Sequence, residues 1–156
     1  MKTDTPVATN DGQALGMMSN GYVVRLLPID VLLPHEEHDH EHAVALSHAI
    51  ANDGYLSRPV VVEERTLILL DGHHRVAALV MLGCKLVPSV LVGYEDPRVC
   101  LDGWRPDVVV DRDMVIAAAS RGQLLPRKTT RHQLSPELDQ VRVNITLLNS
   151  DQSHGY

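Results

Sequence analysis

The stretch from Leu67 to Gly83 leaves this chain few options. Leu67-Ile68-Leu69-Leu70 is an apolar run of strand length, and Val76 to Leu82 is an apolar run of helical character. Only Asp71-Gly72-His73-His74-Arg75 lies between them. A buried strand must therefore turn sharply into a helix, and Gly83 stands where a helix C-terminal glycine belongs. That geometry leaves the first backbone N–H groups of the helix without partners and aims the positive end of its dipole into open space. An anion such as phosphate binds readily there. Gly72 has no side chain to block the approach, and His73, His74 and Arg75 supply further donors. The same residues also fit a plainer element, an Asp71 helix N-cap followed by a surface arginine.

The rest of the chain supplies the partners for that unit. Residues 1–20 are polar and without periodicity, which predicts a flexible arm. Tyr22 to Leu27 reads as a strand that Pro28 ends, and Pro34 blocks a helix after the short connector Ile29 to Leu32. Ala43, Leu46 and Ile50 recur at helical spacing between Glu41 and Asn52, and Gly54 stops that helix. Pro59 to Glu63 is a strand, followed by a turn at Glu64-Arg65. Val87 to Val92 is another strand, with Pro88 pointing to a sheet edge. Gly93 to Pro106 reads as loop. Asp111 to Arg121 is a helix with Val115, Ala118 and Ala119 on its apolar side. Leu125 to His132 reads as a polar, basic loop, and Val141 to Ile145 alternates as a half-buried strand. The expectation is an α+β fold with a small mixed sheet and packed helices: a domain over 21–148, the arm over 1–20 and a flexible tail over 149–156.

Composition narrows the function. With 156 residues and 44% hydrophobic residues the chain can bury a real core, yet aromatics are only 3% and Phe is absent, so that core must be aliphatic. The formal charge of −6, with no dense Lys/Arg block, argues against a dedicated duplex-DNA binder. Cys84 and Cys100 make no disulfide framework, and neither a signal peptide nor an apolar run of transmembrane length is visible. A cytoplasmic protein with no membrane partner is expected.

Three polar segments interrupt the aliphatic pattern: Pro34-His35-Glu36, Asp71 to Arg75, and Lys128 to His132. The first opens the run His35 to His42, which holds four histidines, three glutamates and an aspartate. Imidazole and carboxylate are good metal ligands, but the H-E-x-x-H spacing fails because position 39 is Asp, and acids also suit a helix start. No protein metal site is expected. Neither a P-loop nor a G-x-G-x-x-G is present, so a bound nucleotide must use the Asp71 to Arg75 turn, with Lys128 to Arg131 as a second set of anion donors.

These segments carry a resemblance. Asp71-Gly72-His73-His74-Arg75 resembles the signature turn of the ParB/sulfiredoxin superfamily, and within it the chain is most similar to the free L-serine kinases. Pro34-His35-Glu36 after the first strand, the tryptophan segment Asp96 to Pro106 with Trp104, and Lys128-Thr129-Thr130-Arg131-His132 match that family in order. Archaeal members carry a large insertion between the last two motifs. Here only Asp107 to Arg127 separates them, so the chain resembles a compact form. Sulfiredoxins carry a cysteine beside the His-Arg of the turn, where this chain has His73. ParB proteins add a helix-turn-helix domain, for which the stretch after Pro106 is short, and ParB-like nucleotide-dependent DNA binding or regulation is the alternative reading.

The resemblance implies phosphoryl transfer from ATP or ADP to the hydroxyl of free L-serine, giving O-phospho-L-serine. Such a reaction depends on positioning and charge stabilisation. It implies Glu36 as the base, with Asp71 as the alternate base or an orienting group. Gly72, His73, His74 and Arg75 would hold the donor phosphates, with Lys128 and Thr129 assisting. Trp104, Thr130, Arg131 and His132 would form the serine pocket, Arg131 pairing with the carboxylate. Mg²⁺ would be held mainly through phosphates and waters.

Overall fold

The computed structural model describes residues 13–149. Its centre is a five-stranded mixed sheet made from β1 (Gln13–Ser19), β2 (Tyr22–Pro28), β4 (Val60–Glu63), β5 (Leu69–Asp71) and β6 (Leu86–Val92). Their order is β1-β2-β6-β4-β5; β4 and β6 run parallel, and the other neighbours are antiparallel. Two small ribbons flank it. One pairs β3 (Tyr55–Leu56) with β9 (Val143–Asn144), the other β7 (Val99–Gly103) with β8 (Thr130–Leu134).

The sheet is covered on both sides, which is why β4 is buried along its whole length. Val60, Val62, Leu26, Leu69 and Val87 face one apolar cluster with Ile50, Ala78, Leu79 and Leu148. Those four come from α1 (His40–Asp53), α2 (His73–Met81) and α4 (Ile145–Leu148). Val61, Val24, Ile68, Leu70 and Val90 face a second cluster with Val115 and Ala119 of α3 (Arg112–Arg121) and Leu134 of β8. With no Phe available, both cores are almost wholly aliphatic.

Helix ends follow the residue chemistry. The Asp39 side chain accepts from Glu41 N–H at the start of α1, and that of Asp111 accepts from Met114 N–H at the start of α3. Gly54 and Gly122 close the two helices. The N-cap of α2 is Gly72, not Asp71, and it offers no side-chain acceptor to the helix.

Several expectations are corrected. The arm expected over residues 1–20 contains β1, an edge strand of the main sheet. Its register shifts between Ala14 and Met17, which breaks the alternation that would have revealed it. Residues 1–12 and 150–156, the rest of the arm and nearly all of the expected tail, lie outside the described residues. Pro88 lies in β6, in the interior of the sheet. It is tolerated because pairing with β4 begins only at Ser89, opposite Val60. The loops expected over Gly93 to Pro106 and Leu125 to His132 contain β7 and the start of β8, which pair with each other across a long sequence separation. The expected strand over Val141 to Ile145 shortens to Val143–Asn144, with Ile145 opening α4.

The strand-to-helix turn tolerates little change. Gly72 has φ +112°, and a Cβ there would meet Val60 Cγ1 at 2.5 Å. Val60 is fully buried and cannot withdraw freely. Gly72→Ala should therefore lose about 2–5 kcal/mol, from left-handed strain and overpacking together. Urea denaturation measures this, and a loss under about 1 kcal/mol would mean that the turn relaxes.

Candidate functional site

One cleft of about 770 Å³ collects the three polar segments. Glu36, the whole Asp71 to Arg75 turn, Trp104, Lys128, Thr130, Arg131 and His132 all line it. Thr129 does not: it is buried, and its hydroxyl donates to the Pro126 carbonyl, so it shapes the turn before β8. Sequence reasoning missed Arg58 and Arg127, which also line the cleft.

The segment bearing Glu36 has no helix or sheet of its own and is tied on both sides. Leu33 forms a parallel bridge with Ile68, and Glu36 one with Leu125. The Glu36 carboxylate reaches across to the loop before β8. Oε1 accepts from Thr130 N–H at 3.0 Å and from the Thr130 hydroxyl at 2.8 Å; Oε2 accepts from Lys128 N–H at 2.9 Å. Lys128 takes φ +61° to present that N–H. By lone-pair count Oε1 is filled, while Oε2 retains one position for a further donor.

The two histidines of the turn have their Nε2 atoms occupied. His73 Nε2 accepts from His35 N–H at 3.3 Å, and His74 Nε2 from Asp39 N–H at 2.9 Å. Each ring is thereby a neutral imidazole protonated on Nδ1, clipping one end of the Glu36 segment to α2. The Arg75 guanidinium is also partly committed, donating to the Pro59 carbonyl at 3.1 Å and to Asp71 Oδ2 at 3.2 Å. The backbone N–H groups at the start of α2 are thus the donors that no side-chain cap satisfies.

Opposite the turn, the Arg131 guanidinium lies 4.7 Å from the centroid of the half-exposed Trp104 ring. Asp39 is paired with Arg127 at 2.9 Å, as Asp71 is with Arg75. Arg58, Lys128 and Arg131 line the cleft with no ion pair among the described residues. These cations and the open helix terminus suit an anionic ligand.

Behind this wall His35, His73 and His132 pack edge to face, with His35 4.8 Å from His73 and 5.5 Å from His132. His132 Nε2 meets the Tyr94 hydroxyl at 2.8 Å, a contact with no signal in the sequence. Burial, then the neighbouring imidazoles, push His73 down to about 3; burial, then His35, does the same to His132. Among the described residues no group of three or more His, Cys, Asp or Glu side chains could hold a metal ion.

The sign of the resulting pH dependence follows. The unfolded chain protonates these histidines below their ordinary 6.5, whereas the fold keeps them neutral down to about 3. The unfolded state binds more protons across that window, so stability falls as pH drops through it and levels off below it. Two such histidines should cost about 2–4 kcal/mol between pH 6.5 and pH 5. Urea titrations at several pH values measure this, and His132→Gln should remove about half of the dependence.

The comparisons with known proteins bear on the fold and on sequence likeness. No protein-family model matches the chain. An ATP-dependent L-serine kinase of Staphylothermus marinus is 35% identical over 88 residues, covering 54% of this chain and 35% of that protein. The ADP-dependent L-serine kinase SerK of Thermococcus kodakarensis is 29% identical over 94 residues, covering 58% and 39%. The chain thus spans little more than a third of the length of the curated relatives it matches. Among solved structures, a mutant free serine kinase in complex with AMP superposes with a TM-score of 0.75 at 16% identity, over 85% of this chain and 96% of that one. The α+β fold expected from the sequence is that of the free serine kinases, and the resemblance to them holds in both sequence and fold.

Proposed function

We propose that this protein transfers a phosphoryl group from a nucleoside phosphate to the hydroxyl of free L-serine, giving O-phospho-L-serine. The observation that carries this reading is the shared cleft. An uncapped helix N-terminus and a carboxylate held by three hydrogen bonds, with one acceptor position left on Oε2, line the same cavity. Transfer between oxygens asks for little else than an anion cradle, an aligned acceptor and a base.

The donor phosphates sit at the start of α2, on the backbone N–H groups beyond Gly72, with Lys128 and the spare N–H groups of Arg75 beside them. His73 and His74 serve this site by holding the Glu36 segment in place, with Nδ1–H left as the ring donor. The serine carboxylate pairs with Arg131, whose guanidinium rests over the Trp104 ring. Its hydroxyl faces Glu36 Oε2, which takes the proton as the Oγ–P bond forms. Thr130 and His132 support this pocket from behind: the Thr130 hydroxyl is spent on Glu36, and His132 Nε2 on Tyr94. Asp71 fits a Mg²⁺ ion held mainly by phosphates and waters, because its half-exposed carboxylate has one oxygen on Arg75 and the other open; the ion would neutralise phosphate charge there.

Relatives are named for both ATP and ADP, so the donor is left as either. Among the described residues no helix is long and apolar enough to cross a membrane, and we place the protein in the cytoplasm. A coupled assay with free serine, Mg²⁺ and ATP or ADP, resolving AMP from ADP as product, tests the reading. Absence of phosphoserine with both donors would reject it.

Two variants refine it. Glu36→Gln should lower turnover roughly 10²–10⁴-fold while calorimetry shows nucleotide affinity little changed. Near-normal turnover would move the base to Asp71. Arg131→Ala should raise the KM for serine far more than that for the nucleotide. N-acetylserine amide, which lacks both the free carboxylate and the free amine, should be used at least about 10²-fold less well than serine. Mass spectrometry showing efficient labelling of the blocked serine would remove Arg131 from the acceptor pocket.

A further inference from the structure

The Thr130 hydroxyl has one proton and two acceptors. Its Oγ1 lies 2.8 Å from Glu36 Oε1 and 2.8 Å from His35 Nε2. On the far side of the ring, His35 Nδ1 lies 2.8 Å from the Leu69 carbonyl. A carbonyl can only accept, so Nδ1 carries the ring proton and Nε2 presents a bare lone pair to Thr130. His35 is fully buried, and that burial works against a second ring proton. The groups facing it are His73 from α2, Thr130 and His132 from β8, the Leu69 carbonyl from β5 and Glu36 beside it; the carboxylate is the only formal charge among them.

The two contacts of Oγ1 cannot be satisfied together. While Glu36 is ionised, the hydroxyl proton belongs on Oε1, where the bond is charge-assisted, and Nε2 is left facing an oxygen lone pair. Once a proton arrives on Oε2, Oε1 becomes the carbonyl oxygen of a neutral acid. The imidazole nitrogen is then the better acceptor.

We propose that His35 is a positioning residue acting through Thr130, whose hydroxyl proton swings from Glu36 Oε1 to His35 Nε2 as Glu36 Oε2 takes the proton of the acceptor hydroxyl. The proton count balances. The O–H bond of the acceptor breaks and one forms on Oε2; Thr130 keeps its own O–H bond and only rotates it; His35 gains a hydrogen bond and no charge. The swing satisfies His35 only in the proton-loaded state, so it favours proton transfer to Glu36. It reverses when Glu36 releases its proton to solvent. Assigning the incoming proton to a substrate hydroxyl rests on the kinase reading, whereas the swing itself needs only the titration of Glu36.

Nitrogen-15 NMR of the free protein, with labelled histidine, tests the swing without any substrate. The His35 Nε2 resonance should shift toward that of a hydrogen-bonded neutral imidazole over the pH range in which the Glu36 carboxyl carbon titrates, and Glu36→Gln should abolish the correlation. A resonance that ignores the Glu36 titration, or an imidazolium at pH 7, would overturn the proposal. The pH profile of kcat gives a second readout with opposite signs. Thr130→Val removes a donor from the carboxylate and should raise the acid limb by about 0.5–1 pH unit. His35→Leu leaves the Thr130 proton on Oε1 permanently and should lower it by a similar amount. Shifts of the same sign, or none, would refute the swing. Should His35→Leu fail to fold, Thr130→Val and the NMR titration still decide. Loss of the serine-kinase reading would leave the NMR result standing, so the two failures are distinguishable.

Discussion

The segment from Pro34 to Asp39 is neither helix nor strand, yet its position is dictated from three sides. Leu33 exchanges backbone hydrogen bonds with Leu67 and Leu69, fixing where the segment leaves the sheet. His35 O and Glu37 N–H pair with the two backbone groups of Leu125. His73 and His74 take the N–H groups of His35 and Asp39. An irregular stretch can be rigid when its backbone groups find partners outside itself, and this one finds them on the elements that form the cleft. The carboxylate of Glu36 then points where that scaffold requires.

This arrangement gives the histidines of the Asp-Gly-His-His-Arg turn a role different from the one their composition suggests. Two adjacent imidazoles beside a helix terminus look like donors for an anion. Their Nε2 atoms are acceptors for main-chain N–H groups, and for His73 burial makes the charged form costly. The positive character of the site comes from the helix terminus, Arg58, Lys128 and Arg131. Charge and alignment are thus divided between residues: the permanent cations and backbone dipoles face the cleft, and neutral imidazoles hold the frame.

Local chemistry was the legible part of the sequence. The C-terminal ends of α1 and α3 followed from Gly54 and Gly122, and the strand-turn-helix unit followed from two apolar runs too close together to fold otherwise. Glu36, Asp71 and the residues near 130 were found as polar interruptions of an aliphatic pattern and Trp104 through the family resemblance, and all but Thr129 meet in one cleft. What could not be read depended on distant partners. β7 and β8 are short and irregular in pattern and exist because Val99 to Gly103 meets Thr130 to Leu134. β1 is hidden by its bulge. The alternation of Val141 to Ile145 is real, but Ile145 turns into α4, where its N–H bonds to the Gly54 carbonyl. The partners behind the site, buried His35 and half-buried Tyr94, are second members of contacts, and a single sequence does not show contacts.

The β7–β8 ribbon is not hydrogen-bonded into the main sheet, and along β8 the side chains alternate. Thr130 turns inward to grip Glu36, and its neighbour Arg131 turns the other way to rest on Trp104. In the proposed reaction, gripping the general base and gripping the acceptor are therefore consecutive teeth on one rack. There, a ligand that draws Arg131 into place also seats Thr130, so recognition of the right acceptor and alignment of the base arrive as one mechanical event. A slip of the ribbon by a single residue would exchange the two faces and disengage both at once.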